Sequence, residues 1–560
     1  MILVPVLLLV LAPALAILAR AGAFKTGYLG PEHPWIRAAA AVACGALCLL
    51  AVPLEQGYDF DALKNIKMLI AAAAALALAF ERWGGPAAQR PRRRVDGLLL
   101  ALACLGVANW LNYGAFHGQR TFVHLHDVAH YYLGSKYYEE LGYTDLYTAM
   151  LRAEAENHGD RFRAIEARDL ENYRRVHVRT LLQRSDAVKA EFTAERWFDF
   201  RRDADFFRER LPEHYGRILL DHGFNPTPIW ALLGGSLAQR VPAGSERGLL
   251  MLSLLDPVLL VLSFAALGWG FGRRTAILAV LYFTVIFGAT FGWVGGAFLR
   301  YPWFFGVTVG LACWRRRRYG AAGALFALAV LLRVFPLFFL LPLAARAFWV
   351  WRRSSGGEES PRLPESRYLR FGLAAGATAA LLVAASVVLL PRGFGHWVEF
   401  RANMSTHLKN IAPNVVGTTE VLAHRWGERE LVTQEEFDAL KERRMTIHRA
   451  QQVAVFLPLC LLAALAARRR SDLGAIALAL PLLLSGLSLG AYYYSFLVLL
   501  VPIFRRSEPA LIALFSCEAL CFALRLFEES DGRLFVYRTV ALLWLAAFLL
   551  VRRRARDARI

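Results

Sequence analysis

Residues 249–270 read LLMLSLLDPVLLVLSFAALGWG, and the length of this run sets the fold. A helix rises 1.5 Å per residue, so a run of this size reaches about 33 Å, enough to cross roughly 30 Å of hydrocarbon. Further runs lie at 2–19, 36–53, 67–82, 97–111, 275–293, 302–314, 371–391, 452–467, 474–490, 509–526 and 536–551, with shorter apolar pieces at 226–242, 320–333, 335–350 and 494–504. The whole chain of 560 residues is 57% hydrophobic, with mean hydropathy +0.38, more than a soluble core of this size requires. Lipid cannot satisfy backbone N–H and C=O groups, so the expected state is helical. The fold class is therefore all-α, a polytopic transmembrane helix bundle. The first run lacks the basic segment of a signal peptide and is followed by further spans, so it is read as retained.

Charge orients the spans. Short cytoplasmic loops collect Lys and Arg, and here the clusters are Arg90, Arg92, Arg93 and Arg94; Arg315 to Arg318; Arg352 and Arg353; Arg468 to Arg470; Arg505 and Arg506; and Arg552 to Arg554. Placing them all inside leaves Glu55, Asp59, Asp61, Glu528, Glu529 and Asp531 outside, together with two long polar segments, 112–225 and 392–450. The formal charge of +20, 65 basic against 45 acidic residues, is then topology plus attraction to anionic membrane lipids, and is no argument for nucleic acid. Parity requires one piece between 225 and 315 not to cross. The segment 226–242 is the candidate, being short and following the two prolines of FNPTP.

The seven cysteines fall in or beside apolar spans, with no disulfide framework or zinc spacing. There is no Walker pattern and no GxGxxG between strand and helix, which argues against an ATP-driven pump.

Chemistry is expected on the outer face, and the informative stretch is 122–149, FVHLHDVAHYYLGSKYYEELGYTDLYTA. A helix over 126–140 places Asp127, His130 and Tyr131 on one face at i, i+3 and i+4, presenting a carboxylate beside aromatic rings suited to stacking on a sugar. His126 and His130, at i and i+4, are compatible with a divalent metal together with Asp127. No fourth ligand is in view, so no metal or cofactor is assigned, and hydrogen bonding to sugar or phosphate, or interfacial packing, is the alternative.

Arg333 lies at the apex of the hairpin 320–350, and Arg300 in the turn between 275–293 and 302–314. An arginine in hydrophobic sequence is costly and marks a site by default. Its planar fork suits phosphate, with snorkelling to a head group as the bland reading. Asp221, His222 and Asn225 precede FNPTP and read either as pocket lining or as caps and turns. In WFDFRRDADFF at 197–207, Asp199 and Asp203 share a face; an amphipathic surface helix with solvated charges is the expected reading, a second carboxylate site the alternative. His407, Lys409, Asn410 and Asn414 in the second loop are candidates for closing over a substrate.

The pattern Asp127, Tyr131, Tyr132, Gly142, Leu146 and Tyr147 resembles the first outer loop of GT-C glycosyltransferases, especially the branch that uses polyprenyl-phosphate mannose (glycosyltransferase family 87). FNPTPIWALL at 224–233, AAGALFALAVLLRVFPLFFLLPLA at 321–344 and the stretch Tyr492 to Pro502 are similar, in order, to later segments of that branch. The chain departs from it in carrying about three spans before the Asp-bearing loop instead of one, and in reading GGAFLRYP near 295 in place of a Gly-Gln step. The resemblance implies N-terminal helices over 1–96, a GT-C-like core over 97–351 that includes the extracytoplasmic loop 112–225 of amphipathic helices, and C-terminal helices over 352–560 with the outer loop 392–450. It implies a mannose-like sugar moved with inversion from a polyprenyl-phosphate donor to a lipid or glycan acceptor, with Asp127 as general base, Arg333 and Arg300 on the donor phosphate, and His126, His130, Tyr131, Asp221, His222 and Asn225 binding substrate. The rival reading is a transporter or flippase of lipid-linked saccharides, although no internal repeat supports it. Richness in Ala, Leu and Arg suggests a bacterial cytoplasmic membrane, with the active face extracytoplasmic.

Overall fold

An apolar run surrounded by lipid must close its own hydrogen bonds, and the described runs do so mostly as helices. The computed structural model describes residues 60–83, 92–118, 121–354, 365–408, 414–425, 440, 443–444, 446–528 and 531–551. The runs at 2–19 and 36–53, and Cys44, Cys48, Glu55, Asp59, Arg90, Lys409, Asn410, Glu529 and Arg552 to Arg554, lie outside these residues. Among the described residues six helices are long and apolar enough to cross a membrane: Asp61–Trp83, Glu246–Phe271, Ser366–Leu389, Arg449–Ala467, Glu508–Leu526 and Gly532–Leu550. Ser366–Leu389 buries only Ser386, exposing Leu373, Leu381 and Val388, an apolar surface that water would not tolerate and lipid would.

Shorter apolar helices fill the bundle, including Arg273–Val285, Pro302–Arg315, Tyr319–Leu332 and Leu337–Ser354. Small residues let them approach closely. A Cβ on Gly323 would sit 2.1 Å from the carbonyl oxygen of Phe371, so Tyr319–Leu332 meets Ser366–Leu389 backbone to backbone.

The arginine-rich turns gather at one end. Arg82 pairs with Glu508 at 3.2 Å, Arg274 with Asp96 at 3.1 Å and with Glu81, and Arg353 donates to the carbonyl of Arg468 at 3.0 Å. Arg470 reaches the carbonyl of Leu550 at 2.7 Å. The polar segment 121–225 covers the opposite end.

That segment is not a set of helices lying loosely on a surface. It packs Leu125–Lys136, Tyr138–Leu141, Leu146–His158 and Ala194–Arg210 around one aromatic core. Tyr132, Tyr137, Tyr138 and Tyr147 are fully buried. Tyr137 meets Phe200 edge-on at 5.0 Å and Tyr138 stacks on His396 at 4.6 Å, so these rings are core and not a platform for sugar. Asp203, expected to be solvated, is completely buried: its Oδ2 accepts from Lys136 at 2.6 Å and from Tyr137 at 3.0 Å. Asp199 stays at the surface on Arg202, at 2.9 Å.

Two further departures from expectation have local causes. The fold is not purely helical, since Glu166–Arg168 pairs antiparallel with Arg175–His177, and Val415–Val416 with Leu489–Gly490. The segment 226–242 contributes the helix Pro228–Ala238, about 16 Å long by its rise. Both of its flanks touch the polar layer, through Tyr143 on the carbonyl of Pro226 at 2.9 Å and Ala243 N–H on Asp203 at 3.3 Å. It enters and leaves at the same end.

Candidate functional site

The helix expected over 126–140 runs over Leu125–Lys136 and breaks at Tyr137. His124 caps it, its Nδ1 accepting the Asp127 N–H at 3.2 Å. Asp127 therefore stands in the first turn, where the helix dipole favours a negative charge. Its carboxylate is buried: Oδ1 is ion-paired with Arg300 Nη2, and Oδ2 has no hydrogen-bond partner among the described residues.

Arg300 is delivered by an irregular loop, 286–301, placed against the apolar bundle. Backbone polar groups in such a place have to be satisfied by protein, and several find partners outside the loop. Glu518 Oε2 accepts Phe287 N–H at 2.9 Å, His117 meets the carbonyl of Gly295 at 2.8 Å, and His124 N–H donates to Gly296 O at 2.8 Å. Trp230 Nε1 donates to Leu299 O at 3.1 Å. Gly296 has φ +64°, and a Cβ there would lie 1.8 Å from Phe122 O, so only glycine fits. Asp256, from the helix Glu246–Phe271, closes the loop by accepting Arg300 N–H at 2.8 Å and Tyr301 N–H at 2.9 Å.

Arg333 ends the helix Tyr319–Leu332 in an extended conformation. It points to the same place from the other side. The ring of Tyr131, one helical turn after Asp127, lies between the two guanidinium groups, 5.7 Å from Arg300 Cζ and 5.6 Å from Arg333 Cζ. Tyr492 faces Arg300 at 4.7 Å and Tyr493 faces Arg333 at 6.0 Å, a cation–π lining that tolerates buried charge. Arg333 is 8% exposed, and its guanidinium donates to the Tyr131 hydroxyl at 3.5 Å. Among the described residues no carboxylate pairs with it.

The structure thus brings Asp127, Tyr131, Arg300 and Arg333 together. His130 departs from them, turning about the helix toward a second group. There His126 Nε2 meets Asp221 Oδ2 at 3.1 Å, and His222 N–H donates to Asp221 Oδ1 at 2.8 Å. His130 Nε2 lies 2.8 Å from the Tyr147 hydroxyl. The sequence groups the two histidines with Asp127; the structure sets them beside Asp221, with His126 bonded to it and a ring nitrogen of His130 within 4.8 Å, while Asp127 is held by Arg300. His407 joins this group through ring contacts with His222 and Tyr173, both about 5.5–6 Å. Asn225 is half-buried and makes none of these bonds, and Asn414 meets Ala491 only through its backbone, at 2.8 Å.

Sequence reasoning missed Asp256 and Glu518. The signal was present in each, a carboxylate within an apolar span, and neither acts by facing a cavity. Both hold the backbone of the loop that carries Arg300. Comparison with family models, curated proteins and solved structures finds no match. The class of molecule therefore rests on fold and site alone: a helical protein with six candidate membrane spans among its described residues and a buried Arg–Asp–Tyr centre beneath a folded polar layer.

The histidines give this layer a pH dependence. Burial pushes His117 down to about 4, the hydrogen bond to Gly295 only partly offsetting it. Burial, with His222 beside it, pushes His407 down to about 3. Both titrate near 6.5 once unfolded, so below that pH the unfolded chain binds more protons and stability falls as pH falls. The loss runs from pH 6.5 to about 4 for His117 and to about 3 for His407. Thermal unfolding in detergent should show a lower midpoint at pH 5 than at pH 7.5, and His117→Gln should flatten that slope; equal midpoints at the two pH values would refute it.

Proposed function

We propose that the chain is a membrane glycosyltransferase that moves a mannose-like sugar from a polyprenyl-phosphate donor to a lipid or glycan acceptor, with inversion. The observation that carries this reading is the buried guanidinium of Arg333, which has no carboxylate partner among the described residues and lies across Tyr131 from the Asp127–Arg300 pair. Leaving a buried charge uncompensated costs several kcal/mol, and an anion between the two arginines would remove that cost. A phosphate monoester or diester fits, because guanidinium forks bind its oxygens through paired hydrogen bonds.

The chemistry then follows from charge. A donor phosphate draws Arg300 away from Asp127 and shares it with Arg333. The freed carboxylate takes the proton of the acceptor hydroxyl as that oxygen bonds to the anomeric carbon. The bond from that carbon to the phosphate oxygen breaks, its electron pair leaves with the phosphate, and the two guanidiniums stabilise the charge. The lipid tail stays among the apolar helices. By the positive-inside rule the arginine-rich end is cytoplasmic and the site extracytoplasmic, which suits a bacterial inner membrane.

The direct test is binding. Purified chain in detergent should retain polyprenyl phosphate over the corresponding polyprenol in native mass spectrometry, and should transfer labelled mannose from polyprenyl-phosphate mannose. Hydrogen bonds to charged groups contribute about 1.5–3 kcal/mol, so Arg333→Met should weaken phosphate binding by roughly 10- to 100-fold. Equal retention of alcohol and phosphate would defeat the proposal.

A further inference from the structure

The second group of side chains, on the neighbouring face of the Asp127 helix, has a chemistry of its own. His126 and His130 stand one turn apart, their ring centroids separated by 5.2 Å. Asp221 approaches from the turn before Gly223. One ligand atom from each of His126, His130 and Asp221 lies within 4.8 Å of the other two.

The surroundings orient these atoms as a cation requires. His130 Nδ1 lies 2.8 Å from His126 O; donating there leaves Nε2 with a free lone pair, the support usual behind a metal-bound imidazole. His222 occupies Asp221 Oδ1 through its N–H at 2.8 Å and its ring at 3.2 Å, and Oδ2 remains directed at His126. The Tyr147 hydroxyl, which accepts Gly223 N–H at 2.9 Å, lies 2.8 Å from the same Nε2, so a cation bound there takes the place of that contact. His130 Nε2 also faces Ile218 O at 3.1 Å. A neutral imidazole donates from one nitrogen only, so in either tautomer one of its nitrogens is left facing a carbonyl oxygen. A cation on Nε2 relieves that opposition.

We propose that His126, His130 and Asp221 bind one divalent transition-metal ion of the Zn(II) type. Two imidazoles and one carboxylate suit zinc and its first-row neighbours. Magnesium and calcium prefer oxygen donors. His130 is buried, whereas the side chains of His126 and Asp221 are 31% and 44% exposed, so the ion has an approach from solvent and an open coordination position for water or a substrate oxygen. Ligation at about 2.0–2.2 Å requires the three atoms to draw in by roughly 1 Å. Asp127 takes no part, and the site stands or falls independently of sugar transfer.

The test uses the full chain without a histidine tag. After dialysis against Zn(II) and then metal-free buffer, elemental analysis should find one zinc per chain, and Co(II) in its place should give a visible d–d spectrum. His126→Gln, at the half-exposed position, and Asp221→Asn should each lower zinc affinity at least tenfold, with unfolding midpoints measured on the same samples. Adding EDTA to the zinc-loaded wild type should lower its midpoint and leave that of the double variant His126→Gln/His130→Gln unchanged. Retention of less than stoichiometric zinc by the folded wild type, equal zinc retention by the folded double variant, or binding of Mg(II) in preference to Zn(II), would each overturn the proposal.

Discussion

Replacing Asp127 by asparagine is expected to lower sugar transfer per folded molecule by about 10²- to 10⁴-fold, the usual contribution of a positioned base, while lipid phosphate stays bound. The two effects separate because asparagine keeps the shape of the carboxylate and an oxygen for Arg300, but has no proton affinity. Losing the charge also removes the counter-ion of a buried guanidinium, which in the worst case costs about 3–5 kcal/mol. Two features moderate that loss: the cation–π face of Tyr492, 4.7 Å from Arg300 Cζ, and the Asp256 carboxylate on the Arg300 backbone. With Arg300 no longer held by a carboxylate, phosphate binding should be equal or tighter. Transfer of labelled mannose and native mass spectrometry of bound polyprenyl phosphate, on the same preparation, read the two quantities. Full transfer by the variant would remove Asp127 as base, and retained lipid movement without transfer would favour a flippase.

The extent to which the molecule was legible in its sequence follows from how local each signal is. Span length and apolarity are properties of contiguous residues, so the run 249–270 lies within Glu246–Phe271, and the run 371–391 overlaps most of Ser366–Leu389. The run 275–293 reads as a full span, but its helix stops at Val285, just before Phe287 N–H is claimed by Glu518, 231 positions away. Arg300 and Arg333 stood out as charges in apolar sequence. Asp256 carries the same signal but sits between leucine and proline inside a run that reads as an ordinary span. The tyrosines of 131–147 were ambiguous in principle: an aromatic ring packs equally well on a sugar or in a core, and only tertiary neighbours decide. Tyr131 lies between two guanidiniums, while Tyr132 and Tyr137 turn inward to Asp203. The partner of His126 and His130 was hidden for the same reason, since Asp221 comes 95 positions after His126.

Loss of the Asp203 carboxylate should unfold the polar layer before it touches chemistry. Lys136 and Asp203 are 6% and 0% exposed, so their pair is not a surface salt bridge of small value. Asp203→Ala strands the ammonium and removes the acceptor of the Tyr137 hydroxyl, whereas Tyr132 keeps Val241 O as a second partner. Breaking one side of a buried pair costs about 3–5 kcal/mol, a large fraction of a domain's stability. The expected result is a sharply lower unfolding midpoint, or failure to accumulate in the membrane. Lys136→Met combined with Asp203→Asn removes both charges and should recover much of the loss, since the cost lies in the uncompensated charge. Lys136 closes the helix that Asp127 opens, so where an Asp203 variant still folds, its transfer rate should fall with phosphate affinity little changed. A midpoint shift from Asp203→Ala as small as that of an exposed pair would mean that water reaches Lys136, and the clamp on the far end of the Asp127 helix would have to be sought elsewhere.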